Sequence, residues 1–120
     1  MQYIFHLFSD EKGYAALPEA QRQAASGAYM AYTQALKDAG VWVAGDRLRP
    51  VSESTQIHVG TDGKTTVLDG PYADTKEQLA GYYIVDVPDL DEAIKWAARC
   101  PGASHGTVEV RAIWELPVPA

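Results

Sequence analysis

The stretch Asp69-Gly70-Pro71-Tyr72-Ala73-Asp74-Thr75-Lys76-Glu77 gathers three carboxylates and two chain-bending residues into one short segment. Carboxylates at a cavity mouth can act as general acids or bases when burial raises their pKa. Asp69, Asp74 and Glu77 are therefore candidate catalytic residues. The same residue types also have a structural explanation. Gly and Pro turn the chain, and an Asp in a turn bonds to its own backbone. Asp74 and Glu77 stand three apart, the spacing of a capped single helical turn. Turn chemistry accounts for each residue type separately, so the segment reads first as architecture.

His6, Glu109 and Arg111 form a second constellation. Along Gln2 to Phe8, Tyr3, Phe5 and Leu7 alternate with Ile4, His6 and Phe8; along Thr107 to Leu116, Val108, Val110, Ala112, Trp114 and Leu116 alternate with Thr107, Glu109, Arg111, Ile113 and Glu115. If the first and last strands are neighbours and the apolar rows face helices, then His6, Glu109 and Arg111 share the opposite face. An imidazole, a carboxylate and a guanidinium on one concave wall can hold an acidic metabolite and move a proton. The alternative is a salt bridge between Glu109 and Arg111 across a dimer, with His6 packed beside it. Tyr29 and Tyr82 complete the candidate ligand contacts, although tyrosines at helical spacing, such as Tyr29 and Tyr32, are more often core.

Other signals carry less. Gly102 to Gly106 reads G-x-S-x-G, but it lies between a helix and a following strand, the reverse of a nucleophile elbow. His6, His58 and His105 lack paired metal-ligand spacing, and no metal or other cofactor is expected. Cys100, at a helix end, reads as buried rather than reactive.

The elements that must position these residues follow from periodicity. An aromatic-rich strand over Gln2 to Phe8 leads through a loop, SDEKG, to a helix with Pro18 in its first turn. Its stripe of Ala25, Tyr29, Tyr32, Leu36 and Ala39 ends at Gly40; Gly27 within it suggests close packing. Short strands are expected at Val41 to Ala44, Thr55 to Val59 and Lys64 to Leu68, the last two joined by an Asp62-Gly63 hairpin turn. A long strand covers Leu79 to Val87. Asp89, with Glu92 three residues on, opens a second helix whose buried stripe is Leu90, Ala93, Ile94 and Ala97. The domain is expected to span 1–116, with a frayed tail at 117–120.

The chain of 120 residues is long enough for one domain that buries about 65% of its unfolded surface. Its 47% hydrophobic and 22% charged residues are those of a soluble globular protein. A net charge of -6, with scattered cations, argues against nucleic acid or an anionic membrane as partner. A single cysteine excludes an intrachain disulfide and fits the cytoplasm. No signal peptide or membrane span is evident.

Setting the hairpin aside, the order strand-helix-strand-strand-helix-strand is that of a ferredoxin-like split βαβ arrangement, an α+β fold with both helices on one face of an antiparallel sheet. The other face is aromatic-rich and needs a cover, and a second copy packed sheet to sheet would supply one. The expected assembly is a homodimer with a cavity between its sheets.

The run VLDGPYADTKEQLAGYYIVDVPDLDEAIKWAARCPGASHGTVEVRAIWE, with MQYIFHLFSDE, LKDAG and VWVAGDRLRP before it, resembles the YCII-related proteins, in the branch named for a DGPF motif, here Asp69-Gly70-Pro71-Tyr72. The resemblance covers nearly the whole chain and implies a dimeric α+β barrel. Enzymes among YCII relatives include a dehydrochlorinase of aromatic breakdown, for which a His/Asp pair has been proposed. Its helix histidine falls on Tyr29 here, and a tyrosine does not inherit a histidine's proton transfer near neutral pH. Genes of the DGPF branch stand beside those for alternative sigma factors, which implies a regulatory role as a further reading.

Three functions follow. The first is binding of a small acidic or phenolic ligand in the inter-sheet cavity, which the missing family histidine and scattered carboxylates favour. The second is an acid-base lyase or isomerase acting on a small metabolite. The third is a regulatory interaction linked to an alternative sigma factor.

Overall fold

The structure, a computed structural model, describes residues 1–117; the expected tail falls, beyond Pro117, outside the described residues. The chain runs β1 (Gln2–Ser9), α1 (Glu11–Ala15), α2 (Glu19–Asp38), β2 (Trp42–Arg47), a 3-10 turn at Val51–Glu53, β3 (Thr55–Val59), β4 (Thr65–Asp69), β5 (Gln78–Asp86), α3 (Leu90–Arg99), α4 (Gly102–His105) and β6 (Thr107–Ala112). Four strands form one antiparallel sheet in the order β2-β5-β1-β6, and β3 and β4 form a separate two-stranded hairpin. This is the ferredoxin-like α+β arrangement, with the hairpin inserted between its second and third strands.

Side-chain alternation decides which face carries the helices. On β1, Tyr3, Phe5 and Leu7 are buried while Ile4, His6 and Phe8 are not. The buried row meets Tyr83 and Val85 of β5, Tyr32 and Leu36 of α2, and Ala93 and Ala97 of α3 in one core cluster. Leu36 is fully enclosed; truncating such a residue to Ala typically costs about 2–5 kcal/mol. Tyr32 is held twice: its ring meets Tyr83 edge-on at 5.3 Å, and its hydroxyl donates to the Trp96 carbonyl at 2.7 Å. All of this lies on one side of the sheet. The result is a slab 52 × 50 × 18 Å, with a radius of gyration of 16.9 Å. A compact chain of this length would have about 14 Å; with the described helices all on one side, no described element covers the second sheet face.

Several boundaries differ from expectation. The SDEKG segment is partly helical, because the Asp10 side chain accepts the Lys12 backbone N–H and so caps α1. Pro18 caps α2 instead of entering its first turn. Gly40 has φ +73, as the helix stop requires, but a Cβ at Gly27 would meet nothing within 4 Å, so close packing is not its reason. On α3, Leu90 and Ile94 are half exposed; Ala93, Ala97 and Cys100 turn inward, with Trp96 packed against them. The helix is rotated from the expected stripe so that its small residues approach the sheet. β6 ends at Ala112, and Trp114 and Leu116 are exposed.

The largest difference is β2, which runs on through Gly45, Asp46 and Arg47. A glycine and an aspartate ordinarily end a strand. Gly45 is tolerated because the Tyr83 ring occupies the place of its side chain: a Cβ there would stand 2.6 Å from Tyr83 Cδ1. The extension carries Asp46 onto the sheet.

Candidate functional site

The uncovered face is organised in rows that cross the strands. His6 is directly opposite Tyr82 on one side and Glu109 on the other, and Tyr82 is opposite Asp46. One polar row therefore crosses all four strands in the order Asp46, Tyr82, His6, Glu109. Both ends are hydrogen bonded. The Tyr82 hydroxyl donates to Asp46 Oδ2 at 2.8 Å, and His6 Nδ1 lies 3.0 Å from Glu109 Oε1. A carboxylate can only accept, so Nδ1 carries the hydrogen, and in the neutral ring Nε2, which makes no hydrogen bond among the described residues, keeps its lone pair. Half of Glu109 is exposed, so the pair adds little stability; its effect is to fix the ring. The Asp46 hydrogen bond, helped by slight desolvation, raises the Tyr82 phenol pKa above its ordinary value.

The neighbouring row is Ala44, Ile84, Ile4 and Arg111. Its centre is apolar, and its outer end is a guanidinium that makes no ion pair among the described residues. Glu109 pairs with His6 and not with Arg111 within the chain.

The segment from Asp69 to Glu77 divides. Asp69 ends β4 opposite Thr55, on the hairpin. Gly70 follows with φ +102, and the Gln56 side-chain amide donates to the carbonyls of Gly70 and Pro71, which pins the turn. Asp74 is exposed and the expected capped turn does not form: residues 70–77 are irregular, and Thr75 and Gln78 make the local side-chain bonds instead. Glu77 behaves otherwise. Its Oε1 accepts from the Thr107 hydroxyl at 2.9 Å, and it lines a surface cleft with Phe8, Thr75, Lys76, Thr107 and Glu109. Two carboxylates from separate parts of the sequence thus border one cleft.

Tyr29 stands apart from the other candidates. It lies on α2 and packs against the core on the helix-covered side, where Gly102 leaves room for its hydroxyl: a Cβ there would come within 2.7 Å of it. Burial pushes its phenol up to about 12; Cys100, Tyr83 and Tyr14 add to the rise, and the Arg47 charge partly opposes it. The sheet therefore lies between Tyr29 and His6, and the two do not share one wall. Cys100 is buried, and burial raises its thiol pKa. The G-x-S-x-G residues form α4, with the Ser104 hydroxyl donating to the Pro101 carbonyl at 2.9 Å. Among the described residues, no group of three or more His, Cys, Asp or Glu side chains is placed to hold a metal, and no helix is long and apolar enough to cross a membrane.

Asp46 is the one member of the polar row that sequence reasoning missed. Simple alternation would have put Trp42 on the same face as Asp46, but a register shift between Trp42 and Ala44 leaves Trp42 against the core while Ala44 and Asp46 share the uncovered face, and Gly45-Asp46 resembles a strand end.

Residues 1–117 match the family described as the YCII-related domain. The chain belongs to the YCII-related family. An uncharacterized protein of Rhizobium meliloti (strain 1021) is 43% identical over 67 residues, covering 54% of this chain and 53% of the relative. The match thus spans about half the length of that curated relative. In fold, this YCII-related chain is similar to 5-chloro-2-hydroxyhydroquinone dehydrochlorinase (TftG) from Burkholderia phenoliruptrix AC1100, solved in complex with 2,5-dihydroxybenzoquinone. The TM-score is 0.55 at 15% identity, over 96% of this chain and 94% of that one. At that identity the likeness bears on the fold.

Proposed function

We propose that this YCII-related protein is a small-molecule-binding homodimer whose ligand, acidic or phenolic, lies between two copies of the uncovered sheet face. The observation that carries this reading is a His6–Glu109 pair and an Arg111 without an ion pair among the described residues, on a face that has Ile4 and Ile84 at its centre and that no described element covers. An oriented imidazole and an unpaired guanidinium are groups that recognise oxygenated ligands. An exposed apolar sheet face favours a symmetric partner. The likeness in fold to TftG, whose structure holds 2,5-dihydroxybenzoquinone, supports a small oxygenated ring as the kind of occupant. The Asp69-Gly70-Pro71-Tyr72 motif supports the DGPF branch, and a single buried free cysteine fits the cytoplasm.

Titration calorimetry with 2,5-dihydroxybenzoquinone and a panel of small carboxylic acids tests the reading. Binding should weaken in Arg111→Lys, because a point charge replaces a bidentate fork, while the melting temperature stays nearly unchanged. If no panel member binds, or if Arg111→Ala binds as well as the parent, the reading fails.

Acid-base catalysis is the second reading, and the His6–Glu109 hydrogen bond favours it. A ring held by a carboxylate, with its other nitrogen free, is arranged as a general base. Turnover of a bound panel member that is lost in His6→Gln would distinguish catalysis from binding alone.

A further inference from the structure

Two adjacent rows of the uncovered face differ in chemistry, and together they select a ligand. In the polar row both carboxylates are already engaged, Asp46 by the Tyr82 hydroxyl and Glu109 by His6 Nδ1. Having given its hydrogen to Asp46, the Tyr82 oxygen offers a ligand only lone pairs. With Nδ1 committed to Glu109, the neutral His6 ring likewise offers a lone pair at Nε2. Tyr82 and His6 are direct cross-strand partners at the middle of the row. The middle of the row thus accepts hydrogen bonds and calls for a donor. A ligand carboxylate there would meet lone pairs flanked by two acids, whereas a hydroxyl would be received.

The second row gives the opposite preference. Arg111 is two residues along from Glu109, which makes it the diagonal neighbour of His6 across β1 and β6, about 7–8 Å away. Ile4, cross-strand partner of Arg111 and two residues from His6, forms an apolar floor beside these polar groups, and Ile84 extends it next to Tyr82. A benzene ring with substituents at opposite ends spans such a gap, and its face suits an aliphatic floor.

We infer that the site takes a para-hydroxylated aromatic acid, with the hydroxyl received by Tyr82 and His6, the ring over Ile4 and Ile84, and the carboxylate on Arg111. Asp46 and Glu109 are positioning residues: each directs the hydrogen of its neighbour away from the ligand. The inference rests on the proposed cavity and narrows its acidic or phenolic occupant to a molecule that is both.

The test is calorimetric titration with 4-hydroxybenzoate, 2-hydroxybenzoate, benzoate and phenol at neutral pH. 4-Hydroxybenzoate should bind at least tenfold tighter than any of the other three, because 2-hydroxybenzoate spends its hydroxyl on its own carboxylate. Tyr82→Phe removes one of the two acceptors and should lower the ratio between 4-hydroxybenzoate and benzoate, and the double variant Tyr82→Phe/His6→Phe, which removes both, should bring it toward one. Asp46→Asn should lower the ratio too, since an amide can donate to the Tyr82 oxygen and turn its hydroxyl toward the ligand. A general loss of fold would instead weaken every probe and depress the melting temperature. Equal affinities for 4-hydroxybenzoate and benzoate, no binding of 4-hydroxybenzoate at millimolar concentration, or a ratio that survives the double variant Tyr82→Phe/His6→Phe would overturn the inference. If benzoate binds through Arg111 without discrimination, the cavity reading stands and only this inference falls; if neither the four probes nor 2,5-dihydroxybenzoquinone bind, both fall.

Discussion

His6 and Glu109 face each other across β1 and β6, with Nδ1 of the ring 3.0 Å from a carboxylate oxygen. The contact fixes which ring nitrogen carries hydrogen in the neutral imidazole, and this can be read directly by nitrogen NMR. The parent protein should show the Nδ1–H tautomer. Glu109→Gln retains an acceptor and should retain that tautomer, whereas Glu109→Ala should give a mixture. Because the pair is partly solvated, neither change should cost more than about 1 kcal/mol of stability. An Nε2–H tautomer in the parent would remove the general-base argument and the acceptor role of His6 together.

The uncovered face predicts an assembly. Sedimentation at micromolar concentration should give twice the 13.1 kDa chain mass, as a closed twofold dimer requires. Ile84, half-buried at the centre of that face, pairs with Ile4, so Ile84→Asp should place a charge where the two sheets meet and shift the protein to monomer. A monomeric parent would leave Arg111 and His6 in open solvent and remove the cavity.

Two aspartates of similar appearance in the sequence should behave differently. Asp89 accepts the Glu92 backbone N–H at 3.0 Å and begins α3; Asp89→Ala should cost about 1 kcal/mol. Asp74 is exposed in an irregular segment, so Asp74→Ala should stay within about 0.5 kcal/mol of the parent, like other surface changes. Chemical denaturation of the two variants checks both values. A larger loss for Asp74 than for Asp89 would mean that residues 70–77 adopt the capped turn in solution.

The contrast shows what the sequence could and could not convey. Alternation is a local property of one strand, so the division of Tyr3, Phe5 and Leu7 from Ile4, His6 and Phe8 was legible. Ferredoxin-like topology then put β1 beside β6, which made the meeting of His6 with Glu109 legible as well. The reach of β2 was not, because Gly45 belongs in a strand only where a ring from another strand, Tyr83, occupies its side-chain position. Asp46 was lost with it. The association of Glu77 with Thr107 depends on how an irregular loop returns to the sheet edge, for which no periodicity exists. The helical stripe already placed Tyr29 against the core, where it lies, whereas its alignment with a family histidine carries no information about which side of the sheet it occupies.

Alkaline pH supplies the final prediction, through the buried phenols. Burial raises Tyr29 to about 12 from its ordinary 10.0. Tyr83 is raised by burial, with the Thr33 hydrogen bond partly opposing the rise, and Tyr32 is raised further by its own burial. In the unfolded chain each phenol releases its proton near pH 10, whereas the folded chain still holds it. The unfolded state then binds fewer protons, so stability falls as pH rises. The contribution is complete below about pH 10 and is lost as pH climbs toward about 12 for Tyr29 and higher for Tyr32. Tyr32 adds a further cost, because its ionised oxygen can no longer donate to the Trp96 carbonyl. Melting temperatures measured from pH 8 to 12 should be flat in the lower part of the range and decline in the upper part. Tyr29→Phe should decline less steeply, since it removes one of the titrating groups while preserving the ring. A parent profile that stays flat to pH 12 would mean that these hydroxyls are hydrated in solution and that the helix-covered core is looser than its packing indicates.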